Sequence, residues 1–185
     1  MTSVLKIRLE DLNSQMIKEL QREFGKKAAL ELRVNDFNEA ENIFSTSDFW
    51  VIIDCLDWTK GTIEDVLKPA IHQLASLSAV CNFLFSDLLS EKLFSLDTKS
   101  HAQLFIEADG FLSVDDFLYS RCAVIAEGES YYQKVLADPT LMPKNLIFEA
   151  LLSLAPKAYY QKTGKELSYI GSSKIETYSN QNAWK

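Results

Sequence analysis

Histidine, cysteine, glycine and proline are all scarce in this 185-residue chain, and each scarcity removes a class of chemistry. The two histidines, His72 and His101, and the three cysteines, Cys55, Cys81 and Cys122, show no zinc-ligand spacing and no Cys-x-x-Cys. No metal and no cofactor is therefore expected. The cysteines are odd in number, far apart and set in apolar patterns, as expected of small core residues in a reducing compartment. The six glycines are scattered, so no Gly-rich loop is available to cradle a phosphate. Gly171-Ser172-Ser173 lacks the second glycine of a nucleophile elbow. Long apolar runs are missing too. The richest patch, Ala79 to Phe85, is broken by Asn82 and falls well short of the roughly 20 residues that span a bilayer. The first residues alternate charge with apolar side chains and carry no signal-peptide core, so a cytoplasmic protein with no membrane contact is expected.

What the chain does have is acid, unevenly placed. Residues 1–36 carry seven Lys/Arg against six Asp/Glu, whereas residues 37–139 carry six against seventeen, a charge of -11. Residues 140–185 return to +3. An acidic middle repels phosphate backbones, which argues against direct nucleic-acid binding and in favour of a basic protein partner.

The periodicity predicts an α+β fold that is mainly α. Leu5, Ile7 and Leu9 alternate with charges as a strand, and Ala28, Leu30, Leu32 and Val34 do so again. Between them Met16, Ile17, Leu20 and Phe24 mark one face of a helix closed by Gly25. This strand–helix–strand unit, residues 1–35, would leave open sheet edges and so predicts self-association, as in a homodimer. A polar connector leads to a helical domain over residues 47–165. Expected helix starts are Ser47, Thr62 with Asp65, Ser78, Asp97 or Thr98, and Ser113 with Asp116. Pro69 and Pro156 are expected to kink or interrupt their helices. Gly128 is expected to close one helix in a left-handed conformation, and Gly164 another. Residues 166–185 read as a polar tail with a single Trp184.

Four polar residues stand among apolar neighbours: Asp97, His101, Asp116 and Arg121. Asp97 and His101, four apart, share a helix face, where a carboxylate could orient an imidazole. Asp97 also suits a helix start, and Asp115 and Asp116 suit the first turn after Ser113, facing the positive end of the helix dipole. Arg121 is expected either to bind an anion or to form a buried ion pair with Glu127, Glu129 or Asp97. These four are the candidate ligand-binding residues; no catalytic residue is assigned.

The run Asp48-Phe49-Trp50-x-Ile52-Ile53 resembles the opening of a bacterial family known as domain of unknown function 4240. So do Leu96-Asp97, Val114-Asp115-Asp116-Phe117-Leu118-Tyr119-x-Arg121 and Gly128-x-x-Tyr131-Tyr132-x-x-Val135-Leu136-Ala137-Asp138-Pro139. The resemblance spans residues 47 to about 165. It departs at 98–112, where many members carry a tryptophan-containing Gly-rich run and this chain has Thr98-Lys99-Ser100-His101-Ala102. It implies a bacterial, mainly helical, cytosolic module, and no catalytic residue. The first 35 residues are similar, more weakly, to small oligomerising antitoxin-like proteins.

Two functions follow as expectations. The first is a protein-interaction or regulatory module, such as an immunity- or antitoxin-type inhibitor of a basic partner. The second is a small-ligand binder or enzyme built on Asp97, His101, Asp116 and Arg121.

Overall fold

A computed structural model describes residues 14–25, 44–169 and 171–185. The chain divides into two units, residues 1–41 and 42–185. In the first unit the expected helix is present as α1, Ser14–Phe24, with Met16 and Leu20 half-buried, Ile17 and Phe24 exposed, and Gly25 at φ +88° just past its end. Both expected strands lie outside the described residues. No strand occurs among the described residues, so the α+β class is corrected to an all-helical one. Two alternations of five to seven residues, with no third strand to close a sheet, were too slight a signal to set a fold class.

The second unit carries α2 (Thr46–Ile53), α3 (Ile63–Ser76), α4 (Ala79–Ser95), α5 (Lys99–Asp109), α6 (Val114–Ala126), α7 (Glu129–Ala137) and α8 (Leu154–Thr163). Short 3-10 turns lie at Pro139–Leu141 and Glu149–Ser153. Local chemistry sets most of the boundaries. Ser45, rather than the expected Ser47, caps α2: its hydroxyl accepts from Asp48 N at 3.2 Å while the Asp48 carboxylate accepts from Ser45 N at 2.7 Å. Thr62 and Ser113 cap α3 and α6 as expected. Pro69 does not break α3, which runs through it, and Pro156 sits in the first turn of α8, where its missing N–H has no partner to lose. Gly164 closes α8 at φ +68°, as expected. Gly128 does have positive φ, +94°, but with ψ 172° it begins α7 instead of closing α6; a Cβ there would come within 3.5 Å of the Asp54 carboxylate.

Helix α6 is the axis of this unit. Residues 120–126 are buried on every side, as a helix enclosed by neighbours must be, and Ser120, Ala123 and Ala126 are small enough to let those neighbours close in. Helices α4 and α7 and the 149–153 turn pack on it, and α8 packs on α3 and α4. An aromatic seam crosses the core: Phe49 stacks on Phe85 at 4.8 Å and meets Trp50 edge-on at 5.0 Å, and Trp50 lies 5.4 Å from Tyr132.

Candidate functional site

Beyond α8 the chain does not stray into solvent. From Gly171 to Tyr178 burial alternates residue by residue, with Gly171, Ser173, Ile175 and Thr177 turned inward and Ser172, Lys174, Glu176 and Tyr178 outward. That alternation sets every second residue against a surface, along a path that bends at 172–173 and turns at 176–178, where Tyr178 takes φ +73°. The surface is a slot formed by α4, the start of α5 and α6. Along it, Ser172 N donates to Asp87 Oδ1 at 2.7 Å and Ser173 N to Ser90 Oγ at 3.4 Å. At Gly171 a Cβ would sit 2.7 Å from Ser90 Oγ, so the backbone approaches α4 more closely than any other residue type permits. Tyr169, just before, packs on Phe83 at 5.2 Å; burial, helped by a hydrogen bond to Asp87, pushes its hydroxyl up to about 12.

Asp97 and Arg121 form the middle of the slot, and both are fully buried. The Asp97 carboxylate accepts from Tyr178 N at 3.1 Å, Asn180 N at 3.0 Å and Trp184 Nε1 at 3.0 Å. Arg121 donates through Nη1 to the Leu93 carbonyl at 2.9 Å, and through Nη2 to the Ile175 carbonyl and the Thr177 hydroxyl, each at 3.1 Å. Thr177 passes its own proton on to the Val114 carbonyl at 2.7 Å. The guanidinium carbon also lies 4.8 Å from the centre of the Phe117 ring. Burial pulls the Arg121 pKa down and the Asp97 carboxylate opposes it; a guanidinium keeps its proton under such a balance. The two charges support each other without touching, because no salt bridge joins them and the tail backbone takes their hydrogen bonds. The expected ion pair of Arg121 with Asp97, Glu127 or Glu129 is thus replaced by carbonyl and hydroxyl partners.

His101 lies beside this pair, 3% exposed, one turn into α5. Its Nε2 faces the Val135 carbonyl at 3.1 Å, and a carbonyl only accepts, so Nε2 carries the proton. Nδ1 then accepts from the Thr98 hydroxyl at 2.7 Å. Burial lowers the His101 pKa, the Val135 carbonyl opposes that shift, and the Arg121 charge adds to it, so the ring is neutral. Asp97 and Arg121 therefore share the slot, and His101 is near enough for the Arg121 charge to act on it. Thr98, not Asp97, caps α5, which frees the Asp97 carboxylate for the tail. Asp116 stands apart, exposed in the first turn of α6, at the rim of a shallow groove shared with Phe105, Lys144 and Ile147.

Sequence reasoning missed the other half of the slot. Thr177 and Trp184 complete it, with Trp184 edge-on to Phe117 at 6.1 Å and close to Tyr178 at 4.4 Å. The signal for it was a lone tryptophan in a polar tail. A second arrangement it missed is around Lys92, half-buried on α4, whose ammonium lies 4.9 Å from the Trp50 ring centre, 5.2 Å from Phe49 and 5.5 Å from Tyr132. Burial lowers its pKa, with Glu129 and Glu91 opposing. Trp50 Nε1, Asn82 Oδ1, Ser120 Oγ and Arg121 Nε are buried without a hydrogen-bond partner. Among the described residues, no three His, Cys, Asp or Glu side chains are placed to hold a metal ion. No described helix is long and apolar enough to cross a membrane.

No curated protein and no solved structure matches the chain. A family model described as "Protein of unknown function (DUF4240)" matches residues 44–161, well over half of the sequence. The matched span contains Asp97, His101, Asp116 and Arg121, whereas the segment that fills the slot lies wholly beyond it. The chain belongs to the DUF4240 family of proteins of unknown function.

Proposed function

We propose that this protein is a cytoplasmic interaction module of bacterial type that binds a basic protein partner, in the manner of an immunity- or antitoxin-type inhibitor. One observation carries the reading: a face where exposed carboxylates cluster and form no salt bridge among the described residues. On α2, Asp48 and Asp54 flank the exposed Val51 at three residues to either side, which puts all three on one helix face. Asp54 in turn adjoins Gly128, which Glu127 and Glu129 bracket, and Glu129 and Glu91 both act on Lys92. Asp54, Glu91, Glu127 and Glu129 are exposed and have no salt bridge among the described residues. Lys92 lies over three aromatic rings, and Glu129 and Glu91 act on its charge without forming a salt bridge to it. A basic surface docking here would gain the Coulomb attraction these acids leave unspent, around an apolar contact at Val51.

The slot residues add support of a different kind. Asp97, His101 and Arg121 are buried and spend their hydrogen bonds on backbone, hydroxyl and indole groups of the chain itself. The test is affinity capture from the source cell with the full chain and with Asp54→Lys/Glu129→Lys. The expected partner is basic, is captured by the native chain, is lost on charge reversal, and is released as salt shortens the screening length from about 30 Å toward about 3 Å. Equal recovery of the same partners by both chains at all salt concentrations overturns the reading.

A further inference from the structure

The slot on α4–α6 has the construction of a peptide receptor. Its hydrogen bonds run mainly to main-chain groups of the segment: Asp87 and Ser90 accept from the N–H groups of 172 and 173, Arg121 donates to the carbonyl of 175, Asp97 accepts from the N–H groups of 178 and 180, and Lys99 N donates to the Ala183 carbonyl at 3.1 Å. Main-chain bonds of this kind hold a segment in register, the bends at 172–173 and 176–178 fix the path it must follow, and side-chain pockets then choose among segments. Three places choose here. Gly171 is required by the contact with Ser90, Thr177 bridges Arg121 and Val114, and the Trp184 indole is held between Asp97 and Phe117.

We propose that this slot is a peptide-binding site, and that it accepts the 171–184 segment of a second copy of this chain in exchange for its own. The receptor side chains fall inside the span matched by the family, while the occupant falls outside it; it is joined through the exposed Lys165 and Glu166 and then through Leu167 and Tyr169, which pack on the core and must be released for exchange. An empty slot would strand a buried carboxylate and a buried guanidinium, so a resident segment leaves only as another arrives. The identical segment of another copy supplies the same bonds, which makes exchange between protomers nearly neutral once contacts are counted. This site is separate from the acidic face, and reversing Asp54 and Glu129 leaves exchange unchanged.

The test uses the full chain with a protease site inserted between Gly164 and Lys165. After cleavage the chain stays folded by circular dichroism with its segment bound. A fluorescein-labelled peptide of the 166–185 sequence then enters saturably, read by anisotropy. Peptides carrying Thr177→Val or Trp184→Ala compete about tenfold more weakly or worse, the loss expected for one hydrogen bond to a charged group. Two differently tagged, uncleaved batches mixed at high concentration co-purify as mixed dimers. Unfolding on cleavage, absence of exchange, or equal competition by the two altered peptides overturns the peptide site. Exchange of the free peptide without mixed dimers overturns the second copy as its occupant.

Discussion

Asp97→Ala tests whether the slot holds the last part of the chain in place. The substitution removes the acceptor of Tyr178 N, Asn180 N and Trp184 Nε1, and leaves the buried Arg121 without the carboxylate that supports its charge. A hydrogen bond to a charged group contributes about 1.5–3 kcal/mol, so the three together set an upper limit of about 9 kcal/mol. The freed N–H groups can turn to water once the segment lifts, which returns much of that. What does not relax is the guanidinium, and removing one partner of a buried charge arrangement costs roughly 3–5 kcal/mol. We expect about 4 kcal/mol of destabilisation, or a fall in Tm of about 8–16 °C for a domain of this size. Denaturant unfolding and calorimetry measure the first quantity. Tryptophan emission, taken as a difference against Trp184→Phe in each background, measures the second consequence, a red shift as the indole loses Asp97 and Phe117. Asp97→Asn should fall between the two, because its amide oxygen keeps one acceptor without the charge. A loss below about 1 kcal/mol with unchanged Trp184 emission would refute the reasoning, since that is the size of a single neutral hydrogen bond.

Gly171→Ala should destabilise by about 1–3 kcal/mol, because the new methyl meets Ser90 Cβ at 2.8 Å, and Ser90→Gly in the same chain should restore most of it in urea unfolding. His101 has a folded pKa below its unfolded value, so the unfolded chain takes up a proton first as pH falls. Stability is therefore full above about pH 6.5 and declines below it, by at most about 1.4 kcal/mol per pH unit, and His101→Gln should flatten that limb of the stability–pH curve. Cys122, buried and with its thiol pushed up to about 12, should resist Ellman's reagent in the native protein while the half-buried Cys55 reacts first; mass mapping that finds Cys122 modified early contradicts the packing around α6. Lys92→Met should cost about 1–2 kcal/mol in thermal unfolding through loss of the charge above Trp50, Phe49 and Tyr132, while Lys92→Arg should retain most of it.

The helices were legible because their signals are local. Thr62 and Ser113 cap where a hydroxyl three residues before an acid predicts, and the apolar faces of α3, α6 and α7 follow from their spacing. Pro69 misled because it stands on the exposed side of α3 while Val66, Leu67, Ala70 and Leu74 on the other side are buried and hold the helix in line, a tertiary effect absent from any short window. The α+β class inferred from the first unit failed on the same ground in reverse, as alternation over a few residues says nothing of the rest of the chain, whose described residues are helical. Asp97, Arg121 and His101 could be named from sequence as polar residues out of place, yet their partners could not. Those partners are backbone groups 28 to 83 residues away, and backbone carries no sequence signature.

The slot also bears on how the protein is made. Asp97 and Arg121 emerge from the ribosome well before residues 175–184, so for that interval the Asp97 carboxylate lacks the N–H donors of 178, 180 and Trp184, and Arg121 has the Leu93 carbonyl but neither Ile175 nor Thr177. Helices α4 and α6 contact each other directly and share the buried core, so they can pack before residues 171–184 are in place. Filling the slot then acts as a locking step that completes the hydrogen bonds of Asp97 and Arg121. A frameshift or stop codon anywhere in that final stretch should yield a chain that quality-control proteases recognise, even though every residue of the family-matched span is intact.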